Sequence, residues 1–504
     1  MSNKIVCFET LGCRLNQCET EGAARFFKEA GFICCFSAMS DDFQNTVDVI
    51  LCVINTCTVT HRAEKNSFYK LRVLANKFPR ALILITGCIR DLEKKLPLEV
   101  KPQTVVLPGL KKGLLKEIAL QIRDGKLLTP DGSLDIFSIR AFVQQNTASV
   151  PSDTAPSSAT DDAATADVSS VLEDDIATSS LYKAAADDHF SLYTAHFQHA
   201  SRATLKIQDG CDRECTFCAI RLARGKSISL PPDEVLRRTR QIEDAGYAEV
   251  VLTGVNLSLY SGEHEGSVFH LGELLEFLIC NTTRIKFRLS SLYPEQITDD
   301  FCRVLKNQRV QPFFHLSVQS LNDSVLEMMG RSYHKQDVID AVARLRECKD
   351  NPFISCDIIV GFAKETVVAF RETMQTCQEL AFAWIHVFPF SLREGTKAKE
   401  FVRLGSVVKK TRVQYLCQIA YAGKVSYIKS CEGRVFDAIV EKIVTRKANN
   451  NNIWRALTDN YLHAVFQCDR ELQQGSVVRL KIVSPLEESI SEDREEECQA
   501  ELVD

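Results

Sequence analysis

Ten residues, Asp209–Cys218 (DGCDRECTFC), constrain this chain more than any other feature. They set Cys211, Cys215 and Cys218 in a C-x3-C-x2-C array directly behind an apolar, β-rich run at 203–208. Three thiolates on one short loop can bind three irons of a cubane 4Fe–4S cluster, leaving the fourth iron open to a small molecule. A zinc site needs a fourth ligand, and the next histidine, His264, lies far along the chain. A ferredoxin-type electron carrier needs a fourth nearby cysteine, which is absent from this stretch. The position behind a strand also suits a β/α barrel, whose active sites form at carboxyl strand ends.

Strand-then-helix alternation surrounds the array. Candidate strands lie at 203–208, 249–254, 286–291, 314–319, 354–360 and 384–390, with helical patterns such as 232–245 and 366–380 between them. Six such units predict a partial (β/α)6 barrel over residues 201–430. Short strands around turns then predict a small β-barrel over 431–486. Upstream, apolar runs at 4–8, 47–54 and 81–86 alternate with helical patterns at 19–31 and 62–78. That order predicts an open parallel sheet over 1–135, and α/β as the class of the whole.

Charge and composition divide the chain further. Residues 136–200 turn to Ala, Ser, Thr and Asp, and 141–200 carry a net −8; the reading is a low-complexity acidic linker. Residues 487–504 carry another −8 and read as a solvated acidic tail. The chain's net charge is −5, so its remainder is at +11, which suits a polyanionic partner. Twenty cysteines in 504 residues are too dilute for a disulfide scaffold. The start resembles no signal peptide, and no 18-residue apolar run occurs. A reducing, cytoplasmic setting without a membrane is expected.

Three further cysteines, Cys13 (TLGCRLN), Cys57 (NTCTV) and Cys88 (TGCIR), each follow an apolar strand of the first sheet. In a parallel sheet the carboxyl strand ends share one rim, so the three thiols are expected to converge on a second three-thiolate cluster. Cys7, Cys34, Cys35 and Cys52 lie inside apolar runs and read as packed hydrophobes.

The first array, with Phe217 ahead of its last cysteine, resembles the radical S-adenosylmethionine superfamily. That resemblance implies that S-adenosylmethionine chelates the open iron and is cleaved by one electron to a 5′-deoxyadenosyl radical. It also implies a cofactor pocket formed by Phe217, Thr253, Gly254, Ser290, Gln319, Ile359 and Gly361. The pairing of two triads is similar to the radical methylthiotransferases, whose three parts are a cluster domain, a radical barrel and an RNA-gripping TRAM domain. RLARGKSISLP, HLSVQSLNDSVLEMMGRSY and DIIVGFAKET add to the likeness. Within the family, TLGCRLNQCET and LARG look like the branch acting on N6-threonylcarbamoyladenosine at position 37 of tRNA. The isopentenyladenosine branch and the ribosomal-protein aspartate branch carry other residues around the first cysteine.

The resemblance further implies two 4Fe–4S clusters, tRNA as partner, a flavodoxin- or ferredoxin-type electron donor and a sulfur source. One S-adenosylmethionine would methylate sulfur, and a second would yield the radical that takes hydrogen from C2 of adenine. No catalytic side chain beyond the cluster ligands stands out. A non-catalytic iron–sulfur protein that binds tRNA is the other class of reading. In the last module Arg446, Lys447, Arg455 and Lys481, with Trp454 and Tyr461, would supply phosphate contacts and stacking. The chain departs from the family where Ala363-Lys364 replaces Pro-Gly, which bears on loop geometry, and where Ser227-Ile228-Ser229 stands in place of Arg-Ser-Arg, which removes a positive contact.

Overall fold

The computed structural model describes residues 4–36, 48–57, 61–89, 92–147, 189–198, 200–446 and 452–503. It forms two compact units, 1–194 and 195–504.

The first unit is built on five parallel strands, β1 (Ile5–Thr10), β2 (Ile33–Phe36), β3 (Val49–Thr56), β4 (Leu82–Gly87) and β5 (Thr104–Val106), in the order β2-β1-β3-β4-β5. The middle strands are apolar along most of their length because both faces are covered, as in parallel sheets generally. Val6, Phe8, Leu51 and Leu84 face Phe26 and Phe27 of helix α1 (Arg14–Glu29). Cys7, Ile54, Ile83 and Ile85 face Leu71 and Leu74 of helix α2 (His61–Lys77).

The linker expected at 136–200 is corrected at both ends. Residues Ile136–Thr147 form helix α3, which buries Ile139 and Val143 in the first unit's core, and Leu192 joins the same core. Arg140 fastens α3 by donating to the carbonyls of Lys101 and Thr104 at 2.8 and 2.9 Å. A few apolar residues at helical spacing suffice for this, and the surrounding Ala/Ser/Thr composition hid them. The expectation for 148–188 lies outside the described residues.

The second unit has the six predicted parallel strands: β6 (Ala203–Lys206), β7 (Glu249–Thr253), β8 (Lys286–Leu289), β9 (Phe313–Gln319), β10 (Phe353–Val360) and β11 (Trp384–Pro389). They pair as β8-β7-β6 and β9-β10-β11, with single bridges Phe287–Val310 and Leu292–Leu316 linking the two sheets. Ionic contacts fill the amino end of this barrel. Glu249 accepts from Arg288 through two bonds of 2.7 Å and from Gln311 at 2.7 Å. Burial works against its charge, yet Arg288 and Arg202 hold its carboxyl down at about 2. The Arg288 guanidinium also lies over Phe313 and Tyr461, which ties the barrel to the last module.

That module is a closed five-stranded barrel: β12 (Val435–Thr445), β13 (Asn452–Thr458), β14 (His463–Cys468), β15 (Val477–Pro485) and β16 (Cys498–Val503), in the order β12-β13-β14-β16-β15. The acidic tail is therefore corrected. Strand β16 runs parallel to β14 and antiparallel to β15, pointing Cys498 and Ala500 into the core. Its alternation is only six residues long, and the acids around it masked the pattern. Those acids are engaged: Glu497 accepts from the His463 N–H at 3.0 Å, and Glu495 pairs with Lys442 at 3.2 Å.

The loop after β10 answers one departure from the family pattern. Lys364 adopts φ +59°, the left-handed conformation that a glycine takes without strain. Glu365 accepts from the Gly361 N–H at 2.7 Å, and Thr366 caps the helix α4 (Val367–Leu380). The turn thus forms despite the substitution, at the cost of backbone strain on Lys364.

Two expectations follow. A chain ending at Leu486 loses β16 and leaves β14 and β15 with open edges, a cost of about 3 kcal/mol from lost burial and ladder bonds. It should melt earlier or precipitate; an unchanged melting curve would show β16 to be dispensable. Lys364→Gly should leave the melting temperature level or raised, since about 1 kcal/mol of strain is relieved. Lys364→Val should lower it, and equal melting of both variants would remove the strain argument.

Candidate active site and cysteine centres

The Cys211–Cys218 loop is clamped from three sides. Cys211 N–H donates to the Gly225 carbonyl at 3.1 Å, Thr216 N–H to Met329 at 2.9 Å, and Ala398 N–H to Thr216 at 2.8 Å. Thr216 Oγ1 adds a bond to the Met328 carbonyl at 2.8 Å. At the loop's start Gly210 has φ +68°, and a Cβ there would stand 1.8 Å from the Lys226 carbonyl oxygen. No other residue fits. Asp209 fixes this corner by accepting from the Gly210 N–H and from Arg224. Ile228, at the second departure from the family, pairs with Asp209 in a short antiparallel ladder, and Ser227 accepts from Gln208.

Cys211 is buried, while Cys215 and Cys218 are half-buried. Burial pushes the Cys218 thiol up to about 11, against the pull of Arg331. Burial raises Cys211 too, against the neighbouring Asn256 amide. Thiols held in this way lose their protons to a metal rather than to water. Among the described residues no group of three His, Cys, Asp or Glu side chains is spaced for a single metal ion. A cubane instead takes each thiolate on its own iron, and three cysteines without a fourth ligand suit it.

The pocket residues expected from the resemblance all stand at carboxyl strand ends of this unit or on the cysteine loop. Thr253 closes β7, and Gly254 follows it so tightly that a Cβ would meet Gln208 Oε1 at 2.8 Å. Ser290, just beyond β8, has a buried Oγ with no hydrogen-bond partner among the described residues. Gln319 ends β9 at φ +67°, a strained backbone for a side chain of this type. Ile359 and Gly361 stand at the end of β10, and Phe217 packs edge-on against Phe362 at 6.1 Å.

Two features escaped the sequence. Arg331 lies over the rings of Phe217, Tyr293 and Tyr333, with Nε and Nη1 buried and without hydrogen-bond partners among the described residues. In the sequence it is one arginine of many. The other is a polar group on neighbouring strands: His315 Nε2 pairs with Asp357 at 3.1 Å and Nδ1 with Ser355 at 2.9 Å. His386 stands beside Asp357 in register, with its ring 5.3 Å from that of His315. Burial and the His315 charge depress His386 to about 4. Polar residues alternating inside HLSVQ, SCDII and WIHVF were the available signal.

The first unit brings the other triad to one rim. Cys13 caps α1 beyond β1, while Cys57 and Cys88 directly follow β3 and β4. A Cβ on Gly12 would stand 2.6 Å from Cys57 Sγ, and Cys88 N–H donates to the Thr56 carbonyl at 3.2 Å. Asn16 ties the loops by donating to the carbonyls of Leu11 and Thr56. Cys7 and Cys52 are buried and Cys34 and Cys35 half-buried, in keeping with packing roles.

The expected RNA contacts of the last module need correction. Arg455 is buried and committed to Glu441 at 2.8 Å and to Glu495. Trp454 is a core residue, and the Tyr461 ring lies 4.0 Å from that of Phe313. In a small barrel docked on a larger one, these large side chains fill the junction. Arg446 and Lys481 are exposed, and Lys447 lies outside the described residues.

Comparison with known proteins agrees with these features. The family described as the Radical SAM superfamily matches residues 205–377, and the one described as Uncharacterized protein family UPF0004 matches 5–108. The chain is 38% identical to the threonylcarbamoyladenosine tRNA methylthiotransferase MtaB of Treponema pallidum, over 91% of this chain and 93% of that one. It is 28% identical to the tRNA-2-methylthio-N(6)-dimethylallyladenosine synthase of Staphylococcus epidermidis, over 94% and 82%. The radical S-adenosylmethionine methyltransferase TsrM of Kitasatospora setae, solved with cobalamin and a 4Fe–4S cluster, shares the fold at a TM-score of 0.51. That likeness is at 14% identity over 79% of this chain and 77% of that one. No helix among the described residues is long and apolar enough to cross a membrane. With a cysteine-armed radical barrel, a second cysteine rim and this breadth of similarity, the chain belongs to the radical S-adenosylmethionine methylthiotransferases.

Proposed function

We propose that the protein converts N6-threonylcarbamoyladenosine at position 37 of tRNA to its 2-methylthio derivative. The observation that carries this reading is the pair of cysteine triads, each at the carboxyl ends of parallel strands in its own unit. The choice of nucleoside rests on the 38% identity to a relative named for threonylcarbamoyladenosine, against 28% to one named for dimethylallyladenosine.

Cys211, Cys215 and Cys218 would hold one 4Fe–4S cluster, and Cys13, Cys57 and Cys88 a second. When bound, the first supplies the electron that cleaves S-adenosylmethionine to a 5′-deoxyadenosyl radical, and the second is the place where sulfur is presented for methylation and transfer. The chain's own work is orientation and exclusion of water. Gly254 and Gly361 leave room beside the backbone, while Thr253, Ser290 and Gln319 offer polar groups to the cofactor. Phe217 and Ile359 form the apolar wall. Arg331 keeps a buried positive charge where thiolates and the cofactor's carboxylate would gather. Its unpartnered N–H groups need an anion, since a buried donor left unsatisfied costs about 1–3 kcal/mol.

The test uses purified, reconstituted protein with S-adenosylmethionine, dithionite and anticodon stem-loops carrying either nucleoside. Mass spectrometry should show methylthiolation of the threonylcarbamoyl stem-loop; reaction of the isopentenyl stem-loop alone would contradict the assignment. Cys215→Ala should abolish deoxyadenosine release. Cys88→Ala should keep some release yet yield no product, and each variant should hold about half the iron. Full iron and normal product in Cys88→Ala would dismiss the second cluster. Arg331→Met should weaken S-adenosylmethionine binding about tenfold or more, measured by equilibrium dialysis; unchanged affinity would make Arg331 a packing residue only.

A further inference from the structure

An electron must reach the Cys211–Cys218 loop from outside, and the surface bordering that loop has its own make-up. Residues 393–412 lie against it, through the Ala398-to-Thr216 bond and through Lys397, which pairs with Glu214 at 3.1 Å. Ala398 is seated in an apolar cluster with Phe362, Ala363 and Phe390, against which Phe217 and Phe401 also pack. The segment carries seven Lys or Arg residues against two Glu. Lys399, Arg403 and Lys410 are exposed, and none has an ion pair among the described residues.

Valines interrupt these cations. Val402 is 70% exposed and Val407 76%, beside Val408 at the start of the helix α5 (Ser406–Ser430). Val368, 72% exposed, lies in the first turn of α4, and Arg412 of α5 donates to the Glu365 carbonyl just ahead of that turn at 3.0 Å. Large apolar side chains gathered on an open surface mark an interaction site.

We propose that this face, centred on Val402 and Val407 and bordered by Lys399, Arg403 and Lys410, docks an acidic one-electron carrier protein of the flavodoxin or ferredoxin kind. The proposal rests on the function given above, which needs such an electron. An apolar centre within a charged border is the anatomy of a protein–protein contact, and the cations match an acidic partner. In that contact the carrier is oxidised by one electron and the cluster site is reduced by one; no bond forms or breaks.

The test compares the full-length, cluster-loaded protein with K399E/R403E/K410E and, separately, V407D. Calorimetry with an FMN flavodoxin and with a plant-type ferredoxin, at low and at physiological salt, reads binding without reference to turnover. Wild type should bind at least one of them with an affinity that falls as salt rises, and both variants should bind it about tenfold more weakly or worse. Deoxyadenosine release driven by the reduced carrier should fall in parallel, while release driven by dithionite and affinity for tRNA stay level. No binding of either carrier by wild type, equal binding by the variants, or equal loss with dithionite would overturn the proposal. So would a loss of tRNA affinity with carrier binding intact, which would make the face an RNA contact. Absence of any methylthiolated nucleoside with every reductant would instead reject the assigned function, leaving the binding result to stand by itself.

Discussion

Three thiols stand on one loop of eight residues, and the second unit is organised around holding that loop. Gly210 turns the chain where any side chain would strike the Lys226 carbonyl. Backbone bonds from Gly225, Met329 and Ala398 then fix the loop against three separate parts of the barrel. Each clamp comes from a carboxyl strand end or from a segment just beyond one, where a parallel barrel leaves its backbone groups free to bind. Preorganisation has an electrostatic side as well. Burial raises the thiols at Cys211 and Cys218, and the Arg331 charge pulls against it at Cys218.

The first unit brings three more cysteines to one edge of an open sheet. Adjacent strands β1, β3 and β4 end level, and the residues behind them, Cys13, Cys57 and Cys88, fall on one edge without any local motif joining them in sequence. Tight contacts of Gly12 on Cys57 and of Gly87 on Thr56 leave no space for larger residues there. The amino end of the barrel serves stability instead. Glu249, Arg288, Gln311 and Arg202 join the barrel to the terminal module, with Tyr461 stacked above them.

Much of this was legible in the sequence because it is periodic or local. Six barrel strands declared themselves by apolar runs between helices, and the C-x3-C-x2-C spacing needs no tertiary information. What hid was decided by partners far along the chain. The strand Cys498–Val503 sits among acids, and only its neighbours β14 and β15 reveal it as the closing strand of a barrel. Arg455 and Trp454 look like RNA contacts until Glu441, Glu495 and the module's core claim them. Arg331 and the His315–Asp357–His386 group are scattered residues that the barrel's curvature brings together. Lys364 shows the reverse case, a break in the family pattern that the backbone absorbs.

The central claim, that these paired cysteine centres serve one modification beside the anticodon, is met most directly in the cell. Nucleosides from total tRNA of a strain lacking the gene, compared with the same strain carrying it, report the outcome by mass spectrometry. The account predicts that 2-methylthio-N6-threonylcarbamoyladenosine disappears on deletion while its unthiolated precursor accumulates and 2-methylthio-isopentenyladenosine is unchanged. An unaltered level of the first nucleoside, or loss of the isopentenyl derivative in its place, would contradict it.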